Sequence, residues 1–210
     1  MIRILIADDH PLVREGLKKT LKEEPDFRVC CEAKDSAGVL SLLKVHVHDV
    51  VVMDIAMPGK SGLEALAELK HDYPKLPVLI LSMHPEERFA VRAIKSGAAG
   101  YMTKEAVPQE LVRAIRKVVQ GGRYITPSVA EKLAIEVGTS AAQAPHETLS
   151  NREFQLFCLI ASGKTIKKIA KEMYLSINTV HTYRRRILEK MGMKTNAEMT
   201  QYALRNKLVD

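Results

Sequence analysis

A doubly wound, five-stranded parallel α/β sheet followed by an all-α four-helix domain is the fold class this sequence predicts, on three observations. Short apolar runs alternate with amphipathic helical patterns five times within residues 1–122, which calls for strand–helix units with helices on both faces of one sheet. A small, polar stretch from Val137 through Gly138, Thr139 and Ser140 to Pro145 has little to bury and reads as a linker. From Glu147 onward only helical periodicity is present.

The first part justifies its elements in order. Strands are expected over 2–7, 27–33, 50–53, 78–81 and 100–102, each an apolar run of strand length bounded by turn residues. Helices are expected over 12–23, 37–44, 62–72, 86–96 and 108–120. Ser61-Gly62-Leu63-Glu64 is a capping-box pattern for the third, and Gly121-Gly122 stops the fifth. Thr126-Pro127 supplies a cap and first-turn proline for one more helix, to about Glu136.

In the second part, Ser150-Asn151-Arg152-Glu153 forms another capping-box pattern. It opens a helix ended by Gly163, and further helices follow over 165–173 and 177–191. A last one, with Asn196 as its cap, reaches Asn206. Two helices joined at Leu175-Ser176 describe a helix-turn-helix. The expected domains are therefore 1–122, a linker helix and linker over 123–146, and 147–210.

Charge separates the parts further. The net charge is +7, yet residues 147–210 hold 12 Lys+Arg against 6 Asp+Glu, so six of the seven belong there. That excess suggests a polyanion as partner for the second part alone. The apolar stretches are strand-sized, well short of the ~18 residues of a membrane span, and no signal peptide precedes the charge at Arg3. A cytoplasmic location follows as the default. Cys30, Cys31 and Cys158 lack metal-ligand spacing and read as small hydrophobes in a reduced cell.

Three carboxylates follow two of the buried strands: Asp8 and Asp9 after the first, Asp54 after the third. Both positions lie at the carboxyl edge of the sheet, where open α/β sheets bind ligands. Carboxylates gathered there repel unless a cation joins them, so Mg2+ is the expected cofactor.

With Asp8-Asp9, Asp54-Ile55-Ala56-Met57-Pro58-Gly59, Ser82, and Tyr101 with Lys104 in order after successive strands, residues 1–122 resemble the receiver domain of two-component response regulators. The resemblance implies the flavodoxin-like strand order 2-1-3-4-5 and makes Asp54 a phosphorylated nucleophile. It implies Mg2+ held by Asp8, Asp9, Asp54 and the Ala56 carbonyl, and Lys104 and Ser82 as partners of the transferred phosphoryl group. Tyr101 would turn inward with Ser82 as the switch. Met83 departs from the small residue often found after the switch hydroxyl, and would narrow access to Asp54.

The tail resembles the LuxR-type DNA-binding domain of NarL/FixJ-class regulators. The residues that carry this are Leu149-Ser150-Asn151-Arg152-Glu153, 163–170 and 175–192. Helical spacing sets Val180, Ile187 and Met191, with Tyr183 partly, on the core face of the recognition helix. Asn178, His181, Thr182 and Arg185 lie opposite. The base readers would be His181, Thr182 and Arg185, with Arg184, Arg186, Lys167 and Lys168 on phosphates; Asn178 and Thr179 complete the expected DNA-binding set. Met199 and Ala203 share a face of the last helix, the element the resemblance implies for dimerisation.

The whole reads as a transcription regulator with a sensor histidine kinase, an operator duplex and a second copy of itself as partners, and no membrane. Its only chemistry would be its own phosphorylation and autodephosphorylation at Asp54. A Mg-dependent phosphohydrolase is the alternative enzyme, but Ala56 stands where a dehalogenase-type phosphatase needs a general acid. A quorum-sensing regulator would lack the acidic pair and Lys104. A regulator of this fold controlled without phosphorylation is the remaining alternative.

Overall fold

The computed structural model describes residues 1–58, 62–106, 108–138 and 144–209. The chain forms two compact units, Met1–Ile135 and Glu136–Asp210. Among the described residues no helix is long and apolar enough to cross a membrane.

The first unit contains β1 (Ile2–Ala7), α1 (Pro11–Lys22), β2 (Phe27–Ala33), α2 (Ser36–Val45), β3 (Val50–Met53), α3 (Gly62–Asp72), β4 (Val78–Ser82), α4 (Glu86–Lys95), β5 (Gly100–Thr103) and α5 (Pro108–Val119). Helix α6 (Pro127–Gly138) follows. All strand pairings are parallel, in the order β2-β1-β3-β4-β5. Central strand β3 is buried along its whole length, which is why its sequence is uniformly apolar rather than alternating. Ile4, Ile6, Val50, Val52, Leu79 and Leu81 pack with Leu111, Val112, Ile115 and Val118 of α5. Burying each such side chain contributes ~1.5–3 kcal/mol.

Register, more than burial, positions the site. Ala7 pairs with Met53, and the Asp54 amide donates to the Ala7 carbonyl at 2.9 Å, so Asp8 and Asp54 emerge side by side. Ser82 pairs with Thr103, and the Lys104 amide donates to the Ser82 carbonyl at 2.8 Å. Gly62 lets α3 start against this edge. A Cβ there would lie 2.2 Å from the Asp54 carbonyl oxygen and 2.7 Å from Ile55 Cα, closer than any real contact. Ser61, expected to cap α3, lies outside the described residues, as do Gly59 and linker residues 139–143.

Three features of this unit differ from the sequence reading. The β1–β2 register shifts between Ile4 and Leu5, pairing Val29 and then Cys31, so Cys30 is the residue left over. Cys30 is exposed and Cys31 partly so, whereas Cys158 is buried as expected. Beyond β5, Tyr124 forms a parallel bridge with Gly100, donating its amide to Ala99 and accepting from Tyr101. Helix α2 starts at Ser36, one residue before the expected start, with Asp35 as its cap accepting from the Gly38 amide at 2.8 Å.

In the second unit a 3-10 turn, Pro145–Thr148, stands where a linker end was expected. Helices α7 (Asn151–Ala161), α8 (Ile166–Glu172), α9 (Ile177–Met191) and α10 (Asn196–Arg205) follow. The expected capping box at Ser150 and Glu153 is formed on both sides. Helix α7 is buried around most of its circumference because α8, α9 and α10 all pack against it. Its charged residues are accordingly bonded. The Arg152 guanidinium donates to the Met173 carbonyl and to Gln155, and Glu153 pairs with Lys190 at 2.7 Å. The α8–α9 turn passes through Tyr174 at φ +53°, and Gly192 ends α9 at φ +65°.

Two expectations for α10 are corrected. Its cap is Thr195, which accepts from the Glu198 amide, while Asn196 is the first helical residue. Met199 and Ala203 are both 0% exposed, so they belong to this unit's own core against α7 and cannot present a dimer face. Leu204, 51% exposed, is the large apolar side chain that α10 does present.

Candidate carboxylate pocket and nucleic-acid interface

The carboxyl edge of the sheet gathers Asp8, Asp9, Asp54 and Lys104. Asp8 and Asp54 are 2% and 3% exposed. Lys104 Nζ lies 2.6 Å from Asp8 Oδ2 and 2.8 Å from Asp54 Oδ2, bridging the two strand ends. The loop is held from below as well. Arg14 donates to the Asp8 carbonyl oxygen at 2.7 Å, and Asp8 Oδ1 accepts the His10 amide at 2.9 Å. One ligand atom from each of Asp8, Asp9, His10 and Asp54 falls within 4.8 Å of the others.

The carboxylates and Lys104 shape the electrostatics of this edge. Burial pushes the Asp54 carboxyl above its ordinary range, with nearby Asp8 adding to the rise and Lys104 opposing it. For Lys104, burial works against its charge, but Asp54 and Asp8 outweigh it and hold the ammonium above its usual value. Three carboxylates and one ammonium leave a deficit of two charges, which a divalent cation would fill. The three carboxylates supply hard oxygens at a partly open edge, so they fit Mg2+. The Ala56 amide donates to the Asp54 carboxylate.

Ser82 and Tyr101 meet at a residue that sequence reading did not single out. Ser82 is 0% exposed, and its Oγ accepts the His84 amide at 3.1 Å. The Tyr101 hydroxyl donates to the His84 carbonyl at 2.8 Å, and Tyr101 is only 2% exposed. The His84 ring stacks on Phe89 with centroids 4.6 Å apart. The strand end and the aromatic thus grip one residue of the β4–α4 loop, through its amide and its carbonyl. Met83 is 69% exposed and so is not packed down as a cover over the pocket.

On α9, Val180 and Ile187 are fully buried and Met191 nearly so, with Tyr183 half-buried. The opposite face exposes Asn178, His181, Thr182, Arg185 and Arg186, and Lys167 and Lys168 are exposed on α8. Asn178, Thr179, Thr182, Tyr183 and Arg186 line a shallow depression of about 330 Å³. Two of the expected set are otherwise engaged. Thr179 joins Ser176 in capping α9, its amide donating at 3.0 Å, and Arg184 Nε donates to Asn196 Oδ1 at 2.6 Å.

Comparison with known proteins identifies a family for each part of the chain. Residues 4–116 match the response regulator receiver domain family, and residues 147–203 match the LuxR family of bacterial regulatory proteins. The response regulator GacA of Pseudomonas aeruginosa is 38% identical over 211 residues, covering 100% of this chain and 99% of GacA. UvrY of Escherichia coli K12 is 34% identical, covering 99% and 96%. Among solved structures, RcsB of Salmonella enterica serovar Typhimurium, bound to promoter rprA with the phosphomimetic BeF3-, is similar with a TM-score of 0.64. It is 25% identical and covers 96% of this chain and 97% of RcsB. The chain therefore belongs to the NarL/FixJ class of two-component response regulators, with a receiver domain followed by a LuxR-type DNA-binding domain.

Proposed function

We propose that Asp54 is the phosphoacceptor through which this regulator controls its binding to DNA. The observation that carries the reading is the Lys104 bridge between Asp8 and Asp54, which places a buried cation beside one carboxylate oxygen. An Asp54 oxygen would attack the phosphorus of a kinase phosphohistidine; the N–P bond breaks and an acyl phosphate forms. Mg2+, held by Asp8, Asp9 and Asp54, would neutralise phosphoryl oxygens when bound. Lys104 would supply the second positive charge on that group, and Ser82, whose oxygen accepts the His84 amide, would turn its O–H toward it as donor.

Ser82 and Tyr101 both hold His84. A change at Asp54 that draws Ser82 toward the phosphoryl group would therefore be felt at Tyr101 and the β4–α4 loop. This is the two-state logic of a local charge event biasing a packed element. We assign the switch to Ser82, His84 and Tyr101 together.

For the output we keep the domain limits 1–122, 123–146 and 147–210. His181, Thr182 and Arg185, with Asn178 beside them, would read base edges from the exposed face of α9, and Arg186, Lys167 and Lys168 would contact phosphates. Thr179 and Arg184 would contribute through the shape of the helix end. A homodimer would place its recognition helices ~34–36 Å apart, one DNA turn, and the exposed Leu204 is the α10 residue available to such a contact. The site of action is the cytoplasm, where a sensor kinase and the chromosome are both within reach.

The test is phosphate-affinity electrophoresis of the full chain after treatment with acetyl phosphate and Mg2+. One retarded band is expected for the wild type and none for Asp54→Asn. A retarded band of equal intensity in both would place the phosphoryl group elsewhere.

A further inference from the structure

We infer that His10 is a metal ligand of the carboxylate pocket, giving this site a stronger preference for Mn2+ and other transition-metal ions over Mg2+ than oxygen donors alone would provide. The inference rests on the divalent-cation reading above and names what that same site selects.

His10 occupies the N-cap of α1, a position that favours Ser, Thr, Asp or Asn because their side chains bond the first helical amides. Its side chain makes no cap hydrogen bond, and Pro11 in the first turn removes one amide that would need it. The imidazole is directed at the carboxylates instead. Nδ1 lies 2.7 Å from Asp9 Oδ1 and 3.4 Å from Asp8 Oδ1. Neighbouring ligands of a six-coordinate ion with bonds of ~2.1 Å are ~3.0 Å apart, and the two observed separations bracket that edge. One nitrogen and carboxylate oxygens from Asp8, Asp9 and Asp54 can therefore close on a single ion.

The chemistry of the added donor decides which ion benefits. Mg2+ is hard, keeps several waters and gains little from imidazole. Ions further along the first-row series bind imidazole progressively better. Asp8 and Asp54 each engage Lys104 through Oδ2; Asp8 Oδ1 also accepts the His10 amide, and a carboxylate oxygen that accepts one hydrogen bond keeps a lone pair for an ion. His10 is well exposed, its side chain at 66%, so its replacement removes a donor without opening a cavity.

The experiment uses the full chain and Mn2+ alone, with wild type, His10→Ala and Asp9→Asn compared by Mn2+ titration, Mg2+ competition and pulsed EPR; melting temperature checks the fold. Nitrogen modulation on bound Mn2+ in the wild type is expected, absent in His10→Ala. Mn2+ affinity should fall by about tenfold or more, a loss seen even when outer partners of a metal are removed, while Mg2+ affinity stays within about twofold because imidazole is a poor partner for it. Equal Mn2+ affinity in wild type and His10→Ala with no nitrogen modulation would overturn the role of His10 and leave the carboxylate site standing. If neither ion binds the wild type, or Asp9→Asn binds both as well as the wild type, the carboxylate site itself is wrong and the inference goes with it.

Discussion

The two charged regions of this molecule differ in what surrounds them. In the receiver unit, Asp8, Asp54 and Lys104 are almost fully buried and bonded to one another. On α9 the charges stand in solvent, with the Arg185 side chain 74% exposed and 3.9 Å from its nearest acidic partner. Burying a charge is costly unless partners are fixed around it, so the pocket commits its residues to one local chemistry. Exposing charge of one sign costs little and commits the surface to a partner outside the chain. Salt should separate the two: a Debye length of ~8 Å at physiological ionic strength screens the helix and leaves the pocket nearly untouched.

The sharpest break in the comparison is chemical. Asp54→Asn should lose phosphoryl acceptance entirely while binding DNA as the untreated wild type does, read by gel retardation and fluorescence anisotropy; a treated variant that still shifts its DNA affinity would unseat the pocket as the input. Next in size is a structural effect within the output unit. Arg152→Met removes the buried guanidinium that holds the Met173 carbonyl at the α8–α9 turn, and should destabilise the second unit by ~3 kcal/mol. Calorimetry would show it as one lowered transition, and an unchanged thermogram would mean the turn holds itself.

Arg185→Ala should weaken operator binding by ~1–3 kcal/mol and relax sequence preference, as for a base contact. Lys167→Ala should instead lower affinity for all duplexes alike and reduce the salt slope by about one. Reversal of these two patterns in binding isotherms at several salt concentrations would exchange their roles.

The smallest expected effect concerns a pair at the amino ends of β1 and β3. The Arg3 side chain bonds Asp49 and lowers its carboxyl from 3.8 to about 2. A depressed folded value means the contribution is complete above 3.8 and is lost as pH falls toward 2. In Arg3→Met, NMR titration should return Asp49 toward its ordinary range and remove that acid dependence. An unmoved titration would assign the shift to other contacts.

Much of this was legible because it is local or periodic. β3 reads as buried because all four of its residues are apolar, and Val180, Ile187 and Met191 read as one face because a helix repeats every 3.6 residues. The pocket was legible for a related reason: in a parallel sheet, residues just past successive strands share an edge, so the order Asp8, Asp54, Ser82, Lys104 already implies proximity. What escaped depends on contacts distant in sequence. The Tyr124 bridge depends on the bare Cα of Gly100, where a Cβ would meet the Tyr124 carbonyl at 2.7 Å. Arg152 reads as a surface residue until Met173 is placed beside it. Met199 and Ala203 form an apolar face that suits a partner or a core equally, and only the packing of α7 decides between them.

The central claim is that the buried pocket governs the exposed helix, and operator binding by the full chain tests it most directly. Fluorescence anisotropy with a duplex selected from random sequence would be recorded for wild type and Asp54→Asn, each with and without acetyl phosphate and Mg2+. Phosphodonor is expected to change the wild-type affinity and leave Asp54→Asn where it was. Identical wild-type isotherms with and without phosphodonor, under conditions where electrophoresis shows the protein phosphorylated, would mean that the two regions act independently.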